Sequence, residues 1–88
     1  GAVTETESKI ERVLLALGRE RQPNKTFCPS EAARRLEPDD WRELMPAVCA
    51  AAILLFEAGK LRCTQRGEDV NPAHARGPVR FSLPPLKR

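Results

Sequence analysis

Eighty-eight residues with 41 % apolar and 31 % charged side chains make one small globular domain that buries roughly 60 to 65 % of its unfolded surface, with no room for a second lobe. The formal charge of +3 is unevenly spread: residues 1–60 hold nine Lys or Arg against ten acids, net minus one, and residues 61–88 hold six against two, net plus four. The longest apolar run, Ala47 to Phe56, is half what a bilayer needs, and no basic-then-apolar leader opens the chain, so composition predicts a soluble, cytoplasmic protein with no membrane partner.

Gly1-Ala2 in place of Met reads as a cloning remnant, which leaves one domain over residues 3–88. Thr4-x-x-Glu7 can cap a first helix on which Ile10, Val13, Leu14 and Leu17 recur at i, i+3, i+4, i+7; Gly18 and then Pro23-Asn24 end it. The "KTFC" stretch is a short extended piece with Phe27 turned inward. Pro29 suits the first position of a short second helix, with Glu31 in its favourable first turn and Ala32, Ala33 and Leu36 as an apolar stripe. This helix stops before Pro38.

Asp40-x-x-Glu43 can cap a single turn that buries Trp41, Leu44 and Met45. Pro46 disfavours helix at Met45 and is comfortable as a first helical residue, so a break is expected at 45/46 and a third helix from about 46 to 58. Gly59 closes it in the left-handed region, and Lys60 suits the negative end of its dipole.

From Leu61 the period changes to alternation. Leu61 and Cys63 share one face, Arg62 and Thr64 the other, and Arg66-Gly67-Glu68-Asp69 reads as a turn. Residues 70–78 contain Asn71-Pro72 and Gly77-Pro78 and read as a loop. Val79, Phe81 and Leu83 then alternate with Arg80 and Ser82 as a second strand facing the same core, stopped by Pro84-Pro85. The fold class predicted is α+β: a winged helix-turn-helix of three main helices with a small antiparallel sheet.

The stretches "CPSEAARRL", "WRELMPAV", "LLFEAGKL" and "RGPVRF", in register over roughly residues 8 to 83, resemble a family of small bacterial winged-helix domains of uncharacterised function. The resemblance implies the fold and a nucleic-acid role, and it brings no catalytic residues. In one respect the chain departs from the family pattern: a basic residue follows "MPAV" or "MPxV" there, and Cys49 stands here.

In a winged helix the third helix presents its outward face to the major groove, where Arg, Lys, Asn or Gln read base edges. Stepping 100° per residue puts Val48, Ala52, Leu55 and Phe56 toward the core and Cys49, Ala50, Ile53, Leu54 and Glu57 outward. None of these outward groups suits base readout, and Glu57 repels phosphate. Sequence-specific reading is therefore not expected. Phosphate contact asks only for reachable cations, and Arg34 and Arg35 on the second helix with Arg62, Arg66, Arg76 and Arg80 on the hairpin supply them. Weak, largely sequence-independent binding of duplex DNA is the leading expectation; its alternative is that Arg76 and Arg80 merely pair with Glu68, Asp69 or Glu57. A second function is also open: Cys49, Ala50, Ile53 and Leu54 form an apolar strip suited to another protein or a second copy of the chain, unless the helical phase is off by a residue and Ile53 and Leu54 are core.

Three cysteines, Cys28, Cys49 and Cys63, spaced without a Cys-x-x-Cys pair and with one His, indicate neither a disulfide framework nor a metal site, and read as buried thiols in a reduced cytoplasm. His74 reads as a surface residue, and Ser30 beside Glu31 as a helix start rather than an activated nucleophile. With no glycine-rich phosphate loop and no paired carboxylates in a cleft, no enzyme, cofactor or small-molecule substrate is expected.

Overall fold

The computed structural model describes residues 5–21 and 25–84. Three helices, α1 (Glu5–Glu20), α2 (Pro29–Leu36) and α3 (Trp41–Glu57), are followed by three short strands, β1 (Arg62–Gln65), β2 (Glu68–Asp69) and β3 (Arg80–Ser82). The strands form one antiparallel sheet in the order β2-β1-β3. Phe27, ahead of α2, adds an isolated bridge to Phe81, each N–H donating to the other's carbonyl at 2.8 Å. The result is an α+β fold of winged-helix-like topology, in which the strands follow the helices and β3 bridges to the extended piece before α2.

The core sits where the three helices meet the inner face of this sheet. Ile10, Leu14 and Leu17 come from α1, Ala32 and Ala33 from α2, Val48, Ala51, Ala52 and Leu55 from α3, and Leu61, Cys63 and Phe81 from the strands. Cys63 and Phe81 are direct cross-strand partners, and the Phe27 and Phe81 rings lie tilted with centroids 6.2 Å apart. The alternation expected from Leu61 to Leu83 thus holds, with Phe81 buried and Val79 and Leu83 half-buried beside it.

Four local expectations are corrected. Gly18 does not end the first helix; it is buried inside α1, where a Cβ would lie 2.8 Å from both Cγ and Cδ2 of Leu83. The residue is glycine because the strand's exit segment lies against that turn. Pro46 does not break the chain into two helices: α3 runs continuously through it. Pro46 and Ala47 are exposed, so the Arg42 carbonyl left without its i+4 donor can face water. The penalty of about 3 kcal/mol for an interior proline is outweighed by continuous packing of Trp41, Leu44, Met45 and Val48 along one side. Asp40 precedes α3 without a side-chain cap bond. Glu68 and Asp69 are strand rather than turn: Arg66 (φ 55°) and Gly67 (φ 82°) make a two-residue reversal that puts Glu68 opposite Gln65.

Other signals hold. Pro29 is the first residue of α2, and the Glu31 carboxylate accepts the Cys28 N–H at 2.9 Å, the return half of a capping box. Gly59 (φ 78°) ends α3, with its N–H donating to the Phe56 carbonyl and that of Lys60 to Leu55, the paired bonds of a Schellman motif. Thr4 and Pro23-Asn24 lie outside the described residues.

Candidate nucleic-acid interface

The outward face of α3 is the surface a winged helix turns toward DNA, and here it carries almost no cation. Glu43, Pro46, Ala47, Ala50, Leu54 and Glu57 are exposed along it. The expected phase holds in part: Ala50 is exposed and Leu54 is 56 % exposed, the one large exposed hydrophobic among the described residues, but Cys49 and Ile53, expected outward, are half-buried, and Phe56, expected in the core, is half-buried while Ala51 is buried. A carboxylate stands near each end of the stripe, and between them there is no donor that could address a base edge.

The cations lie elsewhere, and the fold treats the six arginines differently. Arg35 grips Glu20 of α1 through two hydrogen bonds of 2.7 and 2.9 Å, which hold the Glu20 carboxyl below its usual range and raise Arg35 above its own. Arg62 pairs with Asp69 at 2.7 Å, the diagonal partner on the same face of the β1–β2 ladder. Arg80 donates from Nε to Thr26 Oγ1 at 2.6 Å and from Nη2 to the Thr26 carbonyl, and its Nη2 is 3.9 Å from Glu31. Arg34 lies over the Trp41 ring at 4.3 Å, with Arg42 at 4.6 Å from the same ring, so that the aromatic body holds two guanidiniums at the α2–α3 turn. Arg66 and Arg76 have no acidic partner among the described residues.

Those two arginines are carried by the wing, residues 66–79. Arg66 occupies a left-handed backbone position that costs a non-glycine residue about 1 to 2 kcal/mol, and its exposed side chain leaves from the tip of the β1–β2 reversal. Arg76 stands on the return limb, which makes no ladder of its own. The Gln65 amide ties that limb to β1, donating to the carbonyls of Arg76 and Pro78, with Gly77 (φ 82°) between them. Asn71 shapes the outgoing limb, its Oδ1 accepting the Ala73 N–H and its carbonyl those of His74 and Ala75. His74 is exposed.

Over residues 7–84, from the first turns of α1 to past β3, the chain matches the family described as Protein of unknown function (DUF3253). It belongs to that family. No curated protein matches the chain. The DUF3253 match covers the whole wing and every arginine considered above, and its description assigns no activity to any of them.

Cys28, Cys49 and Cys63 are free thiols. Burial pushes Cys63 up to about 11; burial and then the nearness of Cys28 raise Cys49 as well. Among the described residues no three His, Cys, Asp or Glu side chains come together as a metal site, and no helix is long and apolar enough to cross a membrane. Glu31 is part of the α2 start. Its burial raises its pKa, but the Cys28 N–H and the Arg21 guanidinium outweigh this and leave it below the usual value. Sequence reasoning identified four cations of the hairpin and missed what positions them: Gln65 and Thr26 carry no motif, and their roles depend on partners 11 to 54 residues away.

Proposed function

We propose that this domain is a non-enzymatic winged-helix module that binds duplex DNA weakly and with little base preference, the wing resting on the phosphate backbone. The observation that carries the reading is the pair Arg66 and Arg76, two exposed arginines without an acidic partner among the described residues, carried by the loop after β1 of a winged-helix-like fold. The outer face of α3, small, apolar and acidic at its ends, is what removes base reading from the proposal. The setting is the reducing cytoplasm of a bacterial cell, which suits three free thiols.

Arg34 joins the wing as a cation still facing solvent, whereas Arg35 and Arg62 are spent on Glu20 and Asp69. With Arg34, Arg66, Arg76 and Arg80 each meeting one phosphate, log K falls against log salt with a slope of about −3.6, or ~150-fold in affinity between about 50 and 200 mM salt. The test is a titration of two unrelated duplexes across that range, repeated with Arg66→Ala/Arg76→Ala. Equal affinity for both duplexes and a slope halved in the variant are expected. A marked preference for one duplex, or an affinity indifferent to salt, overturns the mechanism.

A second reading rests on Leu54. Its exposure amid Ala50, Cys49 and Ile53 supports α3 as a docking face for another protein or a second copy of the chain, a surface that leaves the wing free.

A further inference from the structure

Two hollows flank the wing, and they differ in charge. One, of about 490 Å³, is lined by Gln65, Arg66, Glu68, Asp69, Val70 and Arg76, so its cations face two carboxylates. The other, of about 450 Å³, lies between the wing and the start of α2; Cys28, Gln65, Arg66, Arg76 and residues 77–80 line it, three arginines and no acid. Glu31, 3.9 Å from Arg80, is held by the Cys28 N–H and by Arg21.

The second hollow is also preorganised. Thr26 fixes the Arg80 guanidinium through Nε and Nη2 and leaves its Nη1 without a partner among the described residues. The Gln65 amide locks the carbonyls on both sides of Gly77, which sets the position of Arg76 relative to β1. Arg66 leaves a backbone bent into the left-handed region on the same rim. Three arginines lining one space suit a phosphate ester with its multiple acceptor oxygens better than a lone carboxylate. Pro78, Val79 and Cys28 supply an apolar wall, and 450 Å³ exceeds what a bare phosphate fills.

We propose that this hollow seats one nucleotide unit: the phosphate between Arg66 and Arg76 with Arg80 as the third donor, and the sugar and base against Pro78 and Val79. The inference rests on the phosphate-binding reading of the wing and names the group that the wing holds. The nucleotide is either free or an unpaired unit of a strand; from a duplex, whose bases stay paired and stacked, the phosphate alone enters.

Amide chemical shifts of the labelled protein report the site while thymidine 5′-monophosphate, thymidine, inorganic phosphate and a short duplex are titrated separately. Saturable shifts at Cys28, Gln65, Arg66 and residues 76–80 with the monophosphate, weaker ones with inorganic phosphate and none with thymidine, support the assignment. Arg76→Ala weakens the monophosphate roughly ten- to a hundredfold, and Gln65→Ala, which retains all three charges, roughly three- to tenfold, the effect of losing one charged and one neutral hydrogen-bonding group respectively. Monophosphate binding with no duplex binding identifies a free-nucleotide site and refutes the duplex reading alone. Duplex binding that leaves the hollow's amides unmoved and is unaffected by Gln65→Ala overturns the hollow while the duplex reading stands. Inorganic phosphate binding as tightly as the monophosphate overturns the place given to sugar and base.

Discussion

Gly18→Ala sets two opposed effects against each other at one site. In an exposed helix interior this exchange stabilises by about 1 kcal/mol, because alanine loses less backbone freedom on folding. In α1 the new Cβ would sit 2.8 Å from Cγ and Cδ2 of Leu83, closer than real Cβ contacts come. Cγ is a branch point rather than a flexible end, so Leu83 has to move as a unit, and overpacking of this kind costs about 1 to 3 kcal/mol. The net expectation for Gly18→Ala is a loss of about 0 to 2 kcal/mol. Leu83→Ala, at a half-buried side chain, loses about 1 to 2 kcal/mol, below the range for full burial. With both changes the new methyl enters space that Leu83 vacated, and the propensity gain returns: the double variant should be more stable than Leu83→Ala alone by about 1 kcal/mol. Urea denaturation of the four proteins measures the cycle directly. Additivity within about 0.5 kcal/mol would refute the packing argument, since residues that do not touch behave so.

Phe81→Ala should cost about 3 to 5 kcal/mol in the same assay, because the buried ring that meets Phe27 and faces Cys63 leaves a cavity between sheet and helices; a loss under about 1 kcal/mol would place the ring outside the core. Glu31→Ala should cost about 1 kcal/mol near neutral pH by removing the acceptor of the Cys28 N–H. Since the folded-state pKa of Glu31 is lowered from 4.5, the stability it adds is present above the ordinary carboxylate range and is lost as pH falls through the lowered value; a difference between the two proteins that stays constant down to about pH 2 contradicts this. Leu54→Glu should leave the melting midpoint within the equivalent of about 0.5 kcal/mol, whereas Ile53→Lys, at a half-buried position, should lower it clearly; equal losses from the two would show the outer face of α3 to be core.

Much of the fold was legible because it is written in local periods and local stereochemistry. The i, i+3, i+4, i+7 spacing of Ile10 to Leu17 orients α1. Pro29 opens α2 and Gly59 closes α3 because each fits a backbone conformation set within a few residues. The switch to alternation at Leu61 places Cys63 and Phe81 on one face before any partner strand is known. The outward placement of Ala50 and Leu54 was readable for the same reason, whereas Cys49 and Ile53, expected beside them, are half-buried at the edge of that face.

What the tertiary structure decided are the places where a local rule meets a distant contact. Pro46 should break a helix, yet core packing over 17 residues carries α3 through it. Gly18 looks like a terminator and is instead a gap filled by Leu83 from the other end of the chain. The arginines show the same division: composition locates the positive charge, but only folding brings Glu20 to Arg35, Asp69 to Arg62 and Thr26 to Arg80, leaving Arg66 and Arg76 without acidic partners on a wing tied down by Gln65. Helical and strand periods relate residues a turn or a pleat apart, whereas ion pairing and shape depend on which surfaces meet after the chain has closed on itself.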